Sequence, residues 1–102
     1  MHPLVESRKS EVAALCRGHG VKRLELFGSA ARGDFDPSGS DLDFLVELGA
    51  DPAVSPLDAY FGLKDDLEAL FHRRVDLVSV GSVRNPYVGA SIERDRQLVY
   101  AA

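Results

Sequence analysis

A glycine, a serine, an arginine and two aspartates stand close together in residues 26–48, which read LFGSAARGDFDPSGSDLDFLVEL. The small-residue turn at Gly28-Ser29 lets the backbone approach an anion such as a phosphate. The carboxylates of Asp41 and Asp43 would repel that anion unless a cation lies between them. Because side chains of a strand alternate with a period of two, D-x-D presents both carboxylates on one face. The spacing therefore predicts a hard divalent cation, such as Mg²⁺, that holds a triphosphate.

A third carboxylate, Asp76, lies within HRRVDLVSV, a run that predicts a strand apolar on both faces. Burying an unpaired carboxylate in such a strand is costly. Asp76 is therefore predicted to bind the metal, to pair with Arg73 or Arg74, or to lie at the rim of the sheet.

The chain around these residues alternates between helical and strand patterns. Apolar residues from Leu4 to Cys16 recur with helical spacing and predict one amphipathic helix. S-A-A-R predicts a short helix after the turn, with Arg32 able to steady phosphate charge. Further helices are predicted from Pro56, after the N-cap Ser55, and from Asn85-Pro86. The strands are predicted in VKRLELFG, DLDFLVEL, HRRVDLVSV and RQLVYAA.

The order of these elements predicts how the chemical residues meet. The turn ends the first strand and Asp41 begins the second, so the two strands must be antiparallel for the groups to share a site. A helix joins the second and third strands, which favours a parallel crossover with both strand starts at one edge. Asp41, Asp43 and Asp76 are therefore expected to converge opposite the Gly-Ser turn.

Each of these residues also has an ordinary structural explanation. Gly28-Ser29 alone is most often a simple turn, Asp41 and Asp43 could form a solvated strand face, and Arg32 could be a solvated cation at a helix end. The three histidines have no metal-ligand spacing and are not catalytic candidates. Four aromatic residues are interpreted as core or partner-facing positions: Tyr60, Phe61, Phe71 and Tyr87.

Length and charge narrow the classes of protein. The 102 residues suit one domain, here 1–102, with 45% hydrophobic and 27% charged residues. A net charge of −4 disfavours binding to a nucleic acid backbone. The start MHPLVESRKSE lacks a leader pattern and no apolar run suits a bilayer, so a cytoplasmic protein without a membrane role is expected. Cys16 is interpreted as a small buried hydrophobe.

The motifs G-S-A-A-R-G, S-D-L-D and V-D-L-V resemble those of the minimal nucleotidyltransferases of the DNA polymerase beta superfamily. The ending N-P-Y-V-G-A-S-I-E-R-D-R-Q-L-V-Y is similar as well, so the resemblance covers nearly the whole chain. It implies an α/β (α+β) fold with a small mixed sheet flanked by helices. By position, it assigns metal binding and catalysis to Asp41, Asp43 and Asp76. It assigns nucleotide binding to Gly28, Ser29, Arg32 and Ser40.

The resemblance also implies an activity. Members transfer a nucleoside monophosphate from a nucleoside triphosphate, here ATP, and use two Mg²⁺ ions that activate the acceptor hydroxyl and stabilise the pyrophosphate. Asp76 is the candidate to assist deprotonation. Such proteins are commonly antitoxins of a HEPN ribonuclease toxin, and some transfer AMP to a tyrosine of that partner. Two alternatives stay open: a binding module that neutralises its partner by contact alone, and a polymerase-like enzyme acting on RNA ends, which the acidic charge disfavours.

Overall fold

A computed structural model describes residues 1–33, 36, 39, 41–50, 53, 55–82 and 85–102, apart from the side chains at positions 88 and 91. The elements in these ranges are α1 (Pro3–Glu6), α2 (Lys9–Gly18), β1 (Val21–Phe27), α3 (Ser29–Arg32), β2 (Leu42–Leu48), α4 (Pro56–Phe71), β3 (Val75–Ser79), α5 (Pro86–Asp95) and β4 (Gln97–Ala101). No helix among them has the length and apolarity needed to cross a membrane.

The four strands form one mixed sheet in the order β3-β2-β1-β4, counted over the described ranges. β1 is antiparallel to both β2 and β4, whereas β2 and β3 are parallel and joined through α4. The antiparallel turn and the parallel crossover confirm the predicted topology. They also confirm the predicted fold class, a mixed sheet flanked by helices.

Helices cover both faces of the sheet, and each face has its own apolar cluster. The larger cluster lies beneath α1, α2 and α4 and includes the inward side of β2, Leu42, Phe44 and Val46. The smaller cluster joins Phe27, Leu45 and Ile92 beneath α5. Alternate residues of β2 therefore point to opposite faces of the sheet, and both faces are buried. Asp43 lies on the same face as Leu45, the face that α5 covers.

The second face also buries Glu25, which the alternation of β1 does not reveal. Its side chain is 3% exposed and pairs with Arg96, whose Nη2 donates to Glu25 Oε1 at 2.9 Å, and with Arg23. The Arg96 hydrogen bonds, assisted by Arg23, outweigh burial and lower the pKa of Glu25 to about 2. The paired charges fasten the end of α5 to β1.

The single N-terminal helix predicted from apolar spacing was wrong, because α1 ends at Glu6 and α2 begins at Lys9. The Ser7 hydroxyl donates to the Leu4 carbonyl oxygen at 3.3 Å, a local bond that competes with helix propagation. The apolar spacing was nevertheless informative, since Val5, Val12 and Cys16 are all fully buried.

The other helix starts were predicted correctly. Ser55 is the N-cap residue of α4, although its side chain makes no capping hydrogen bond. Asn85 is the N-cap residue of α5, and its Oδ1 accepts from the backbone N–H of Tyr87 at 2.9 Å. The first turn of α5 is therefore held at a defined position beside the sheet.

Candidate active site

A cleft of about 480 Å³ lies at the edge of the sheet where β1 ends and β2 and β3 begin. Five of the residues predicted from the sequence line it: Gly28, Ser29, Arg32, Asp43 and Asp76. Among the described residues, Phe27, Val78 and Tyr87 also line it. One cavity thus combines a small-residue turn, a cation and two carboxylates.

Gly28 connects β1 to the short helix α3 in a conformation that favours glycine. Its φ is 73° and its ψ is −155°. Its carbonyl oxygen accepts from the N–H groups of Ala31 and Arg32, both at 3.1 Å, which closes the first turn of α3. A Cβ at this position would lie only 2.3 Å from Asp43 Oδ2. Glycine is therefore needed both for the turn and for the approach of the Asp43 carboxyl.

Asp43 occupies the centre of this arrangement. Its Cα is paired with Phe27 across the antiparallel ladder and with Asp76 across the parallel one. Burial, together with the negative charges of Asp76 and Asp41, raises the pKa of Asp43 to about 6, although Arg32 opposes the rise. Ionised Asp43 is consequently unfavourable in the isolated chain, and a nearby cation would relieve that cost.

Asp76 is exposed, so the cost of burying its carboxylate does not arise. It lies near the start of β3, an edge strand, and only Val75 and Leu77 of that strand are fully buried. No ion pair joins it to Arg73 or Arg74, all three being described residues. The rim position that the sequence left open is the observed one.

Asp41 precedes β2, is exposed, and is not among the lining residues of the cleft. Its charge nevertheless contributes to the raised pKa of Asp43. Within the described ranges, no three His, Cys, Asp or Glu side chains are gathered closely enough to hold a metal ion. Ser40, which the resemblance assigns to nucleotide binding, lies outside the described residues.

The donor set nonetheless fits a hard divalent cation. Its oxygens belong to carboxylates, the ligands that Mg²⁺ prefers, and burial together with their mutual repulsion raises the pKa of Asp43. Asp43 and Asp76 are register partners on neighbouring strands, and Asp41 follows the same period along β2. Ligation by all three would require side-chain adjustment.

Arg32 is held by a residue that the sequence did not single out. Its Nη1 donates to Asp95 Oδ2 at 2.7 Å, and Asp95 also accepts from Arg94 Nε at 3.2 Å. Burial of Asp95 opposes its ionisation, but the hydrogen bonds from Arg32 and Arg94 outweigh it and lower the pKa of Asp95. Since 63 positions separate Arg32 from Asp95, no local pattern could have indicated the contact.

Of the two positions predicted for Tyr87, core or partner-facing, the core one is wrong, because the residue is 84% exposed and lines the cleft. The helix start predicted at Asn85-Pro86 already placed Tyr87 in the first turn of the last helix. Only the packing of α5 on the second face of the sheet brings that turn to the cleft. Tyr60 and Phe71 contribute to the core as predicted, whereas Phe61 is 51% exposed.

Comparison with known proteins agrees with this geometry. The family model described as nucleotidyltransferase domain matches residues 10–99. A candidate protein adenylyltransferase of Methanocaldococcus jannaschii is 41% identical over 80 residues, which are 78% of this chain and 76% of the relative. The solved structure of a candidate minimal nucleotidyltransferase is 34% identical, with a TM-score of 0.74 and 95% of both chains covered.

A more distant structure shares the fold. It is a complex of a tri-AMPylated Shewanella oneidensis HEPN toxin with an MNT antitoxin, in which the matching chain is 19% identical with a TM-score of 0.64. The match covers 96% of this chain and 73% of the other. With the turn, the cleft and the family match together, the chain belongs to the nucleotidyltransferase domain family, as a minimal nucleotidyltransferase.

Proposed function

We propose that this protein transfers AMP from ATP to a protein hydroxyl in a Mg²⁺-dependent reaction, and that it acts as the antitoxin of a HEPN-type partner. The observation that carries the proposal is the single cleft in which Gly28, Ser29 and Arg32 face Asp43 and Asp76. Relatives named as candidate protein adenylyltransferases support the choice of a protein acceptor.

Some residues of the cleft are proposed to bind the triphosphate and metal ions, and one is proposed to accept a proton. Gly28 and Ser29 hold the triphosphate through the turn, and the Arg32 guanidinium neutralises phosphate charge. Asp41, Asp43 and Asp76 would hold two Mg²⁺ ions, which supply charge neutralisation at the phosphates and activation of the acceptor hydroxyl. Asp76, exposed at the rim, would accept the proton of the incoming hydroxyl. The acceptor oxygen bonds to the α-phosphorus as the bond to pyrophosphate breaks.

The acceptor is proposed to be a tyrosine of the partner. The cleft is open at the edge of the sheet, with Asp76 and Tyr87 exposed on its lining, so a second protein can reach the acids directly. The AMPylated toxin in the Shewanella oneidensis complex supports a partner of this class. Enzyme and partner would then complete the site together.

ATP binding tests the site without any acceptor. Asp41→Asn combined with Asp43→Asn is expected to abolish the strengthening of ATP binding by Mg²⁺, because the ligand charges are removed. Calorimetric titration with and without Mg²⁺ measures this, and Glu47→Gln, on the same face of β2 and farther from the turn, is the matched control. Equal Mg²⁺-dependent binding by wild type and double variant would remove the proposed site.

Transfer is tested by mixing the protein with its co-encoded HEPN-type partner, ATP and Mg²⁺. The intact mass of the partner should increase by whole AMP units with wild type and stay unchanged with the double variant. The alternative function, neutralisation by contact alone, predicts an unmodified partner whose ribonuclease activity is blocked by both versions.

A further inference from the structure

We propose that Asp95 is a positioning residue for the transfer reaction, which fixes the guanidinium of Arg32 at the wall of the cleft. The inference rests on the proposed function, because it assigns to Arg32 a role toward the phosphates. Its structural part, the ordering of Arg32 by Asp95, stands on contacts within this chain.

Asp95 is the last residue of α5, and its side chain is only 3% exposed. A buried carboxylate is costly unless it is paired, and both of its oxygens accept hydrogen bonds from arginine. These two arginines differ in their surroundings. Arg32 lines the cleft with a 39% exposed side chain, whereas Arg94 is 67% exposed and is not part of the cleft lining.

Arg32 needs such a partner to order its side chain, because its backbone lies in a very short helix. It is the last residue of the four-residue helix α3, which follows the Gly28 turn. An arginine has a long side chain with many rotamers, and ordering that side chain on so short a helix costs conformational entropy. The 2.7 Å bond to a buried carboxylate fixes one of these rotamers before substrate arrives. Pre-organised charge of this kind is what stabilises phosphoryl transfer.

The end of α5 is itself anchored, so Asp95 is a rigid support. The next residue, Arg96, pairs with buried Glu25 of β1. The backbone N–H of Arg96 also donates to the Ile92 carbonyl oxygen at 2.8 Å. Adjacent residues therefore fasten the helix end to β1 and to α3, and the position of Arg32 is set by the packing of α5.

The first experiment measures the order of Arg32 directly and needs no catalysis. In ¹⁵N NMR spectra, the assigned Nε–H group of Arg32 should be rigid in wild type and become mobile in Asp95→Asn. Arg94→Gln is the matched control, because it removes another arginine that hydrogen-bonds the same carboxylate, and Arg32 should stay rigid in it. An Arg32 that is equally rigid in Asp95→Asn would overturn the proposal.

The second experiment asks whether Asp95 acts through Arg32. Asp95→Asn should lower kcat/KM for AMP transfer by about 10- to 100-fold, the cost of a misplaced group. In an Arg32→Gln background the same substitution should cause no further loss, after correction for the folded fraction from thermal unfolding. An equal loss in both backgrounds would show a merely structural role and overturn the proposal.

If Asp95→Asn does not fold, a variant that keeps the negative charge can be tested instead. Asp95→Glu keeps the ion pair but shifts the carboxylate by one methylene, and it should alter the Arg32 resonance and reduce kcat/KM. Wild-type values for both would overturn the proposal. If wild type itself transfers no AMP, the proposed function fails, whereas the NMR comparison still decides whether Asp95 orders Arg32.

Discussion

Removing the charge of Asp43 should stabilise the metal-free protein at neutral pH. The pKa of Asp43 rises from 3.8 to about 6 on folding, because of burial and the neighbouring negative charges. Such a group contributes stability below pH 3.8 that is lost as the pH rises through about 6. The shift corresponds to about 3 kcal/mol of unfolding free energy. Asp43→Asn should therefore exceed wild type in stability by about 1 kcal/mol at pH 4.5 and by up to about 3 kcal/mol at pH 8, a change of about 2 kcal/mol across this range.

Urea unfolding of both proteins in the presence of a chelator, at intervals from pH 4.5 to pH 8, measures the difference. Comparing the two at each pH cancels the titration of groups that do not interact with Asp43. Added Mg²⁺ should stabilise wild type and reverse the advantage of the variant, since the cation offsets the repulsion that the substitution removes. A constant difference across this pH range would refute the electrostatic account of Asp43.

Three other expectations follow from single contacts. Wild type should lose up to about 3 kcal/mol of stability as the pH falls from 4.5 to about 2, because the hydrogen bonds with Arg96 that lower the pKa of Glu25 are lost on protonation. Glu25→Gln should lack this loss, and acid titration followed by circular dichroism measures the difference. Gly28→Ala should abolish transfer and cost about 1–3 kcal/mol of stability, because its φ of 73° and ψ of −155° suit glycine alone and the new Cβ would displace the Asp43 carboxyl. Kinetics and thermal melts test the two effects. Cys16, whose pKa burial raises to about 12, should react with iodoacetamide only after unfolding, as mass spectrometry would show.

Most of the candidate site could be predicted from the sequence because its signals are local. The D-x-D period specified which face of β2 carries Asp43, and Gly28 marked the turn that ends β1. The pairing of the strands followed from two arguments: β1 and β2 must be antiparallel for the turn and Asp41 to share a site, and a helical crossover favours a parallel pair for β2 and β3. These rules depend on nearest neighbours along the chain, and they placed Gly28, Asp43 and Asp76 together.

Only the tertiary structure decided what surrounds these residues. Asp76 is exposed because β3 is an edge strand, a property of the whole sheet rather than of V-D-L-V. Tyr87 lines the cleft, and Asp95 holds Arg32, because α5 packs on the second face of the sheet. Residue type and period describe one element at a time, whereas contacts across 63 positions depend on how separate elements pack. The sequence by itself therefore determined the chemical groups and their strands, and packing determined the charge partners that position them.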